Sequence, residues 1–365
     1  MKKIISVVGA RPNFMKVAPI HRAFQRYSSD IEHSIVHTGQ HYDAAMSDAF
    51  FQDLDMPEPA VFLGIGSGSH AVQTAKVMVE FEKVCENIRP DLVIVVGDVN
   101  STVGCSLVSV KMGIATAHVE AGLRSFDRAM PEEINRIATD AICDYWFVTE
   151  QSGIDELHKQ GAPQHNIFFV GNTMIDSLHY ALPKAKKSQF IHKLGLTEKS
   201  YALITMHRPS NVDEPEQLRT LLLMLAELSQ LRDIVFPVHP RTRKNIEIFG
   251  LSDIITSHPR MHLIDPQGYI TFLHLMMNAD FVMTDSGGIQ EETTALGVPC
   301  LTIRTTTERP VTTSLGTNIL VQPSPNSIRQ ALNDMVTLPR KSGQIPPLWD
   351  GKAADRIADI IYKIL

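Results

Sequence analysis

Short, β-branched, almost wholly apolar runs recur along this chain, and a longer stretch of helical spacing comes after nearly every one. The first series is Ile4–Val8, Ser34–Thr38, Leu92–Val96, Thr116–Val119, Trp146–Thr149 and Ile167–Val170. The second is Ala202–Thr205, Ile234–Val238, His262–Ile264, Phe281–Thr284, Cys300–Ile303 and Ile319–Val321. Runs apolar on both faces, alternating with helices, predict parallel sheets covered on both sides. At 365 residues the chain exceeds what one core usually serves, so the two series predict two doubly wound α/β domains. The polar, basic stretch Pro183–Ser200 separates them, and the boundary is expected near 172–200. The first domain is assigned to 1–172 and the second to 173–350, with no short repeat or low-complexity segment.

Composition removes several classes of function. Net charge is −6, so no basic field exists to hold nucleic acid, and an anionic ligand must rely on a few local cations. No apolar run approaches the ~18 residues a membrane helix needs. Met1-Lys2-Lys3 before an apolar segment imitates a signal peptide, but that segment ends at Arg11-Pro12 and reads as a first strand. Cys85, Cys105, Cys143 and Cys300 are scattered, with no paired or zinc-like spacing. Buried reduced thiols, a cytoplasmic protein and no metal site are the expectation.

In open α/β sheets ligands bind beyond the carboxyl ends of the strands, so the residues just after each run are informative. After the first run stand Gly9-Ala10-Arg11-Pro12-Asn13-Phe14-Met15-Lys16, and after the second Gly39-Gln40-His41. Then come Gly97-Asp98-Val99-Asn100 and Glu120-Ala121-Gly122-Leu123-Arg124. In the second half come His207-Arg208, His239-Pro240-Arg241 and Asp285-Ser286-Gly287-Gly288. So many tips bearing ionisable residues, most of them with glycine, predict a large polar site in a cleft between the two domains.

Each motif also has a plainer reading. Asp285–Glu292 opens a helix with paired glycines, which suits an anion, although a Ser cap and turn would look the same. Gly64-Ile65-Gly66-Ser67-Gly68 imitates a dinucleotide fingerprint, but Ser69 stands at the third glycine and no convincing parallel strand precedes it, so no NAD is expected. Arg11, Lys16, Arg208, Arg304 and Arg309 are candidate phosphate ligands or ordinary surface cations. Asp98, Glu120, Glu132 and Glu133 fall at or just beyond strand ends. Pro131 suits a first helical position, Ile134, Ile137, Ala138, Ala141 and Ile142 form one apolar stripe, and Glu132 or Glu133 could simply pair with Arg136. His118, in mid-strand, reads as structural.

Taken together, Gly9-Ala10-Arg11-Pro12, Thr38-Gly39-Gln40-His41, Gly97-Asp98, His118–Arg124, Pro131-Glu132-Glu133, His207-Arg208, Pro237-Val238-His239, Asp285–Glu292 and Glu308-Arg309-Pro310 resemble the non-hydrolysing UDP-N-acetylglucosamine 2-epimerase family over essentially the whole chain. The resemblance implies two Rossmann-like domains of the GT-B kind, with a last helix (351–365) crossing back to the first domain. It implies a UDP-sugar as partner and elimination of UDP across C1–C2 to 2-acetamidoglucal, then re-addition on the other face, for cell-surface polysaccharide precursors. No cofactor is implied, and a homodimer is. The implied catalytic set is Lys16, Asp98, Glu120 and Glu132, with His207 assisting departure of UDP. Arg11, His207, Ser286, Gly287 and Gly288 would hold the diphosphate, Glu292 the ribose, and Gln267 and Phe272 the uracil, with Arg309 near the nucleotide.

Some bacterial members of that family bind a second UDP-sugar as activator. Gln40, His41, Arg208 and His239 remain here, but Tyr42 and Asp43 come directly after His41, and an Asp facing a diphosphate is repulsive. Three rivals stay open: a hydrolysing epimerase, an epimerase of a 2,3-diacetamido uronic acid, and an inert UDP-sugar-binding protein.

Overall fold

The computed structural model describes residues 1–39 and 53–365, with the backbone alone for Arg11 and Ser210. The chain forms two compact units, Met1–Tyr180 with Pro347–Leu365, and Ala181–Pro346. The division falls between Tyr180 and Ala181, inside the helix Thr173–Lys186, and the return falls at Pro347. That helix is continuous across the boundary and accommodates Pro183 in its last turn.

In the first unit β1 (Lys2–Val8), β2 (Ile31–His37), β3 (Val61–Phe62), β4 (Leu92–Val96), β5 (Ala115–Val119), β6 (Tyr145–Val148) and β7 (Ile167–Phe169) form a parallel sheet in the order β3-β2-β1-β4-β5-β6-β7. In the second, β8 (Tyr201–Thr205), β9 (Asp233–Pro237), β10 (Met261–Ile264), β11 (Phe281–Thr284), β12 (Cys300–Ile303) and β13 (Asn318–Val321) pair in the order β10-β9-β8-β11-β12-β13. Each apolar run of the sequence is a strand. The order reverses between β1 and β4 and between β8 and β11, where diverging connections leave room for ligands.

β3 is the strand that sequence patterning missed, because two residues carry no periodicity. It pairs in parallel with β2 through Val36 and His37, so a parallel strand does precede Gly64. Ser69, where a fingerprint glycine would stand, caps the next helix by accepting from the Val72 N–H at 3.3 Å.

The strands are buried on both faces, Leu92–Val96 completely so. The four cysteines are free and buried, and burial pushes their thiols up, Cys85 to about 12 and Cys300 to about 11. The last helix, Ala353–Ile364, belongs to the first unit. It buries Ile357, Ala358 and Ile361 and packs against the helix Arg11–Phe24. Its first N–H groups, Ala353 and Ala354, donate to Asp176 at 3.1 and 2.7 Å.

The helix Pro131–Ile142 turns its polar side toward the core. Its inward face is polar, with Glu133, Arg136, Thr139 and Asp140 buried. The apolar stripe lies outward, Ile134 being 41% exposed. The polar face turns inward because its side chains hold the tips of β4 and β5 through Asp98, His118 and Gly122.

Candidate functional site

In the first unit the site grows from the tips of β1, β4 and β5. Asn13 shapes the first. Its side-chain oxygen accepts from Gly9 and Ala10 N–H at 3.0 and 2.9 Å, and its amide donates to Val96 O at 3.2 Å, joining the β1 and β4 tips. One turn on, Lys16 is buried and ion-paired with Glu120. Gly97 makes that possible: its φ is +67°, and a Cβ there would lie 2.8 Å from Lys16 Nζ.

Glu120 itself has φ +73°, a left-handed conformation that costs a non-glycine residue energy and concentrates at functional positions. Its N–H and that of Ala121 both donate to Phe147 O, at 3.0 and 3.2 Å. Asp98, 23% exposed at its side chain, receives Arg136 Nε at 3.0 Å. Arg136 also pairs with buried Glu133. Glu133 in turn accepts from Ser125 N, Ser125 Oγ and Phe126 N at 2.9–3.0 Å. The structure thus separates two neighbours that sequence left equivalent. Glu133 is the structural partner of Arg136, and Glu132 is half-buried in the first helical turn.

A third buried group lies behind these. Asp140 receives His118 Nδ1 at 2.7 Å, Arg124 at 2.6 Å and Gly122 N–H at 3.1 Å. Burial alone would raise the Asp140 carboxyl, but His118 and Arg124 outweigh it and hold it below the usual range.

In the second unit the switch point joins His207 to the loop after β11. Asp285, fully buried, receives His207 Nδ1 at 2.9 Å, the N–H groups of His207 and Arg208 at 3.0 and 2.8 Å, and Asn211 Nδ2 at 3.0 Å. Burial pushes its carboxyl up, and those donors more than offset the push. His207 is thereby oriented while its ring stays 45% exposed, 6.1 Å from the His239 ring. Ser286, Gly287 and Gly288 open the helix Gly287–Leu296, whose first N–H groups and dipole suit an anion. Glu292, one turn in, accepts from Tyr269 OH at 2.8 Å. Gln267 is half-buried and donates to Asp265 O, and Phe272 packs on the core beside Leu275, Met276 and Val282.

Arg309 does not stand as a bare cation. It pairs with Glu291 at 2.8 Å and Glu308 at 2.6 Å, and Glu308 also pairs with Arg304. This cluster borders the glycine turn, since a Cβ on Gly287 would meet Glu308 at 2.8 Å. Gln40 and His41 lie outside the described residues, as does the Arg11 side chain.

Sequence reasoning passed over Asp140, named Asn13 and Asp285 only within strand-tip motifs, and met Arg136 only as a possible helix partner. The Glu133–Arg136 spacing was the one signal available. Asp140 and Asp285 are short polar side chains whose partners lie far off in sequence, and Asn13 joins its own turn to Val96.

Two parallel α/β units, one with buried carboxylates at its switch point and the other with a glycine-opened helix beside a His–Asp pair, define an enzyme of nucleotide-sugar type. The chain matches the family described as UDP-N-acetylglucosamine 2-epimerase over residues 22–362 and belongs to that family. It is 41% identical over 364 residues to the UDP-N-acetylglucosamine 2-epimerase of Methanocaldococcus jannaschii, with 98% of each chain covered. It is 37% identical to the UDP-2,3-diacetamido-2,3-dideoxy-D-glucuronate 2-epimerase of Pseudomonas aeruginosa, covering 99% of this chain and 100% of that one. Its fold matches the crystal structure of the M. jannaschii enzyme in complex with UDP-GlcNAc and UDP, with TM-score 0.89, 40% identity and 100% of both chains covered.

Proposed function

We propose that this protein interconverts UDP-N-acetylglucosamine and UDP-N-acetylmannosamine without hydrolysis. The observation that carries the reading is the buried Lys16–Glu120 pair, on strained backbone, beside an Arg136-held Asp98. C2 of the sugar is not acidic, so its proton leaves only as the C1–O bond to UDP breaks. A carboxylate takes the C2 proton, the C–H electron pair becomes the C1=C2 bond, and UDP departs. A phosphate oxygen of UDP then adds back to C1 while C2 is reprotonated on the opposite face. No net oxidation occurs. Asp98, Glu120 and Glu132 are the proton-transfer groups, with Lys16 holding charge beside Glu120. The helix opened by Ser286, Gly287 and Gly288 takes the diphosphate together with Arg11 and His207, and Glu292, Gln267 and Phe272 take the nucleoside.

The test is NMR of the protein with UDP-N-acetylglucosamine in deuterated water. Product carrying deuterium at C2 is expected. Product retaining its original C2 proton excludes elimination, and free N-acetylmannosamine as first product makes the enzyme hydrolytic. The relative from P. aeruginosa favours a second reading, in which the sugar is a 2,3-diacetamido uronic acid. Parallel assays with both UDP-sugars decide between them.

The protein is proposed to be a cytoplasmic homodimer serving precursor synthesis for surface polysaccharides. Support for the dimer comes from exposed Ile134, with Val72 (49%) and Val79 (55%) on the helix His70–Ile88. Ile134→Glu with Val79→Glu is expected to halve the mass seen by light scattering, and an unchanged mass removes that face from consideration.

A further inference from the structure

Among the described residues, the buried or half-buried groups outside the assigned machinery include His118 with Asp140, the His21–His33 pair, and Asp176 beneath the last helix. Only the first touches both carboxylate-bearing tips. β4 and β5 run in register to Val96 and Val119, and the last backbone bond between them is Gly97 N–H to Val119 O at 3.1 Å. Beyond that rung the two chains part. Asp98 comes next on one, and Glu120, at φ +73°, on the other. Past the end of the ladder, His118 Nε2 donates to Gly97 O at 2.8 Å while Nδ1 donates to Asp140 at 2.7 Å. Both ring nitrogens thus face oxygen atoms of other residues. His118 is wholly buried.

Asp140 continues the tie, holding Gly122 N–H, two residues beyond Glu120, and Arg124. It sits one turn after Arg136, which holds Asp98. From this geometry we infer that His118 is a positioning residue. It adds a side-chain rung that sets the distance between Asp98 on one tip and Glu120 on the other. The inference rests on the proposed epimerase reading, in which both carboxylates move the C2 proton. A misplacement of about 1 Å at a reacting group can cost on the order of a hundredfold in rate.

Two amides separate this role from simple core stability. An Asn amide nitrogen falls near the place of Nδ1, and a Gln amide nitrogen near that of Nε2. His118→Gln therefore keeps the donor to Gly97 O and loses the one to Asp140, and His118→Asn does the reverse. Turnover and UDP affinity are measured on full-length protein, with melting curves on the same samples. His118→Asn should lose roughly ten- to a hundredfold in kcat with UDP affinity unchanged, while His118→Gln loses no more than about threefold. Equal loss in both folded variants, or greater loss in His118→Gln, makes the residue a structural partner of Asp140 and overturns the inference. Should His118→Asn fail to fold, His118→Gln decides alone, since a folded Gln variant slowed a hundredfold overturns it equally. Wild-type protein that exchanges no C2 proton from either UDP-sugar overturns the functional reading instead.

Discussion

The two units share one architecture and use it in opposite ways. Both are parallel sheets with a reversal of strand order, and both place their motifs at that reversal. In the first unit the reversal is lined by paired charges: Lys16 with Glu120, Arg136 with Asp98 and Glu133, His118 and Arg124 with Asp140. In the second, the reversal offers backbone N–H groups at Gly287 and Gly288 and a histidine held by Asp285, while the charge trio of Arg309 stands to one side. Proton transfer needs side chains whose position and charge are set in advance. Anion binding needs donors and a dipole, which a helix start supplies from any sequence that leaves room for it.

The largest effect expected from this division is on turnover. Glu120→Gln keeps the shape of the side chain but cannot accept the C2 proton. It should reduce kcat by roughly two to four orders of magnitude. UDP affinity should change little, since the groups proposed to hold the nucleotide, Arg11 apart, lie in the other unit. The variant leaves Lys16 buried without its partner, so rates are taken per folded molecule from melting curves. A folded Glu120→Gln protein turning over near the wild-type rate breaks the assignment.

Next in size is a loss of stability in the second unit. Arg309→Ala leaves Glu291 and Glu308 buried with one cation fewer, and breaking a buried pair in this way costs about 3–5 kcal/mol. That is roughly 10 °C in melting temperature for a domain of this size. If Arg309 were instead a direct phosphate ligand with little structural duty, the melting point would hold and UDP binding alone would fall, roughly ten- to a hundredfold. Calorimetry and UDP titration on one preparation separate the two outcomes.

The fold was legible in the sequence because parallel strands buried on both faces announce themselves as unbroken apolar runs. Val61–Phe62 escaped because the strand is too short to show a period. The tips were legible as places rather than as partnerships. Glycine and ionisable residues mark a strand end, but which charge meets which depends on loops far apart in sequence. Asp285 reaches back to residues 207–211, and Asp140 reaches Gly122 and His118. Which way the stripe Ile134–Ile142 faces was not legible for a related reason. Amphipathic spacing finds the apolar face of a helix, and here the inner face is the polar one.

The smallest effect concerns two buried carboxylates whose surroundings differ between the units. Asp285 has a histidine, an amide and two backbone N–H groups, and its carboxyl is held below the usual range. Asp176, under the last helix, receives Ala353 and Ala354 N–H, and burial pushes it up to about 6. A carboxyl whose folded pKa exceeds its unfolded value of 3.8 binds a proton in the folded state that the unfolded chain has already released. Its contribution to stability is therefore complete below pH 4 and is lost as pH rises through about 6. Asp176→Asn cannot titrate, and its single amide oxygen still accepts from one of the two N–H groups at the helix start. Relative to wild type, the variant should gain in melting temperature between pH 4.5 and 7, by the equivalent of at most a few kcal/mol. The opposite slope belongs to Asp285, whose contribution is lost as pH falls below its depressed value. A melting-temperature difference between wild type and Asp176→Asn that stays constant across that window means the two N–H donors, not burial, govern Asp176. In that case the two carboxylates would be alike, and the contrast between the units would be confined to their strand tips.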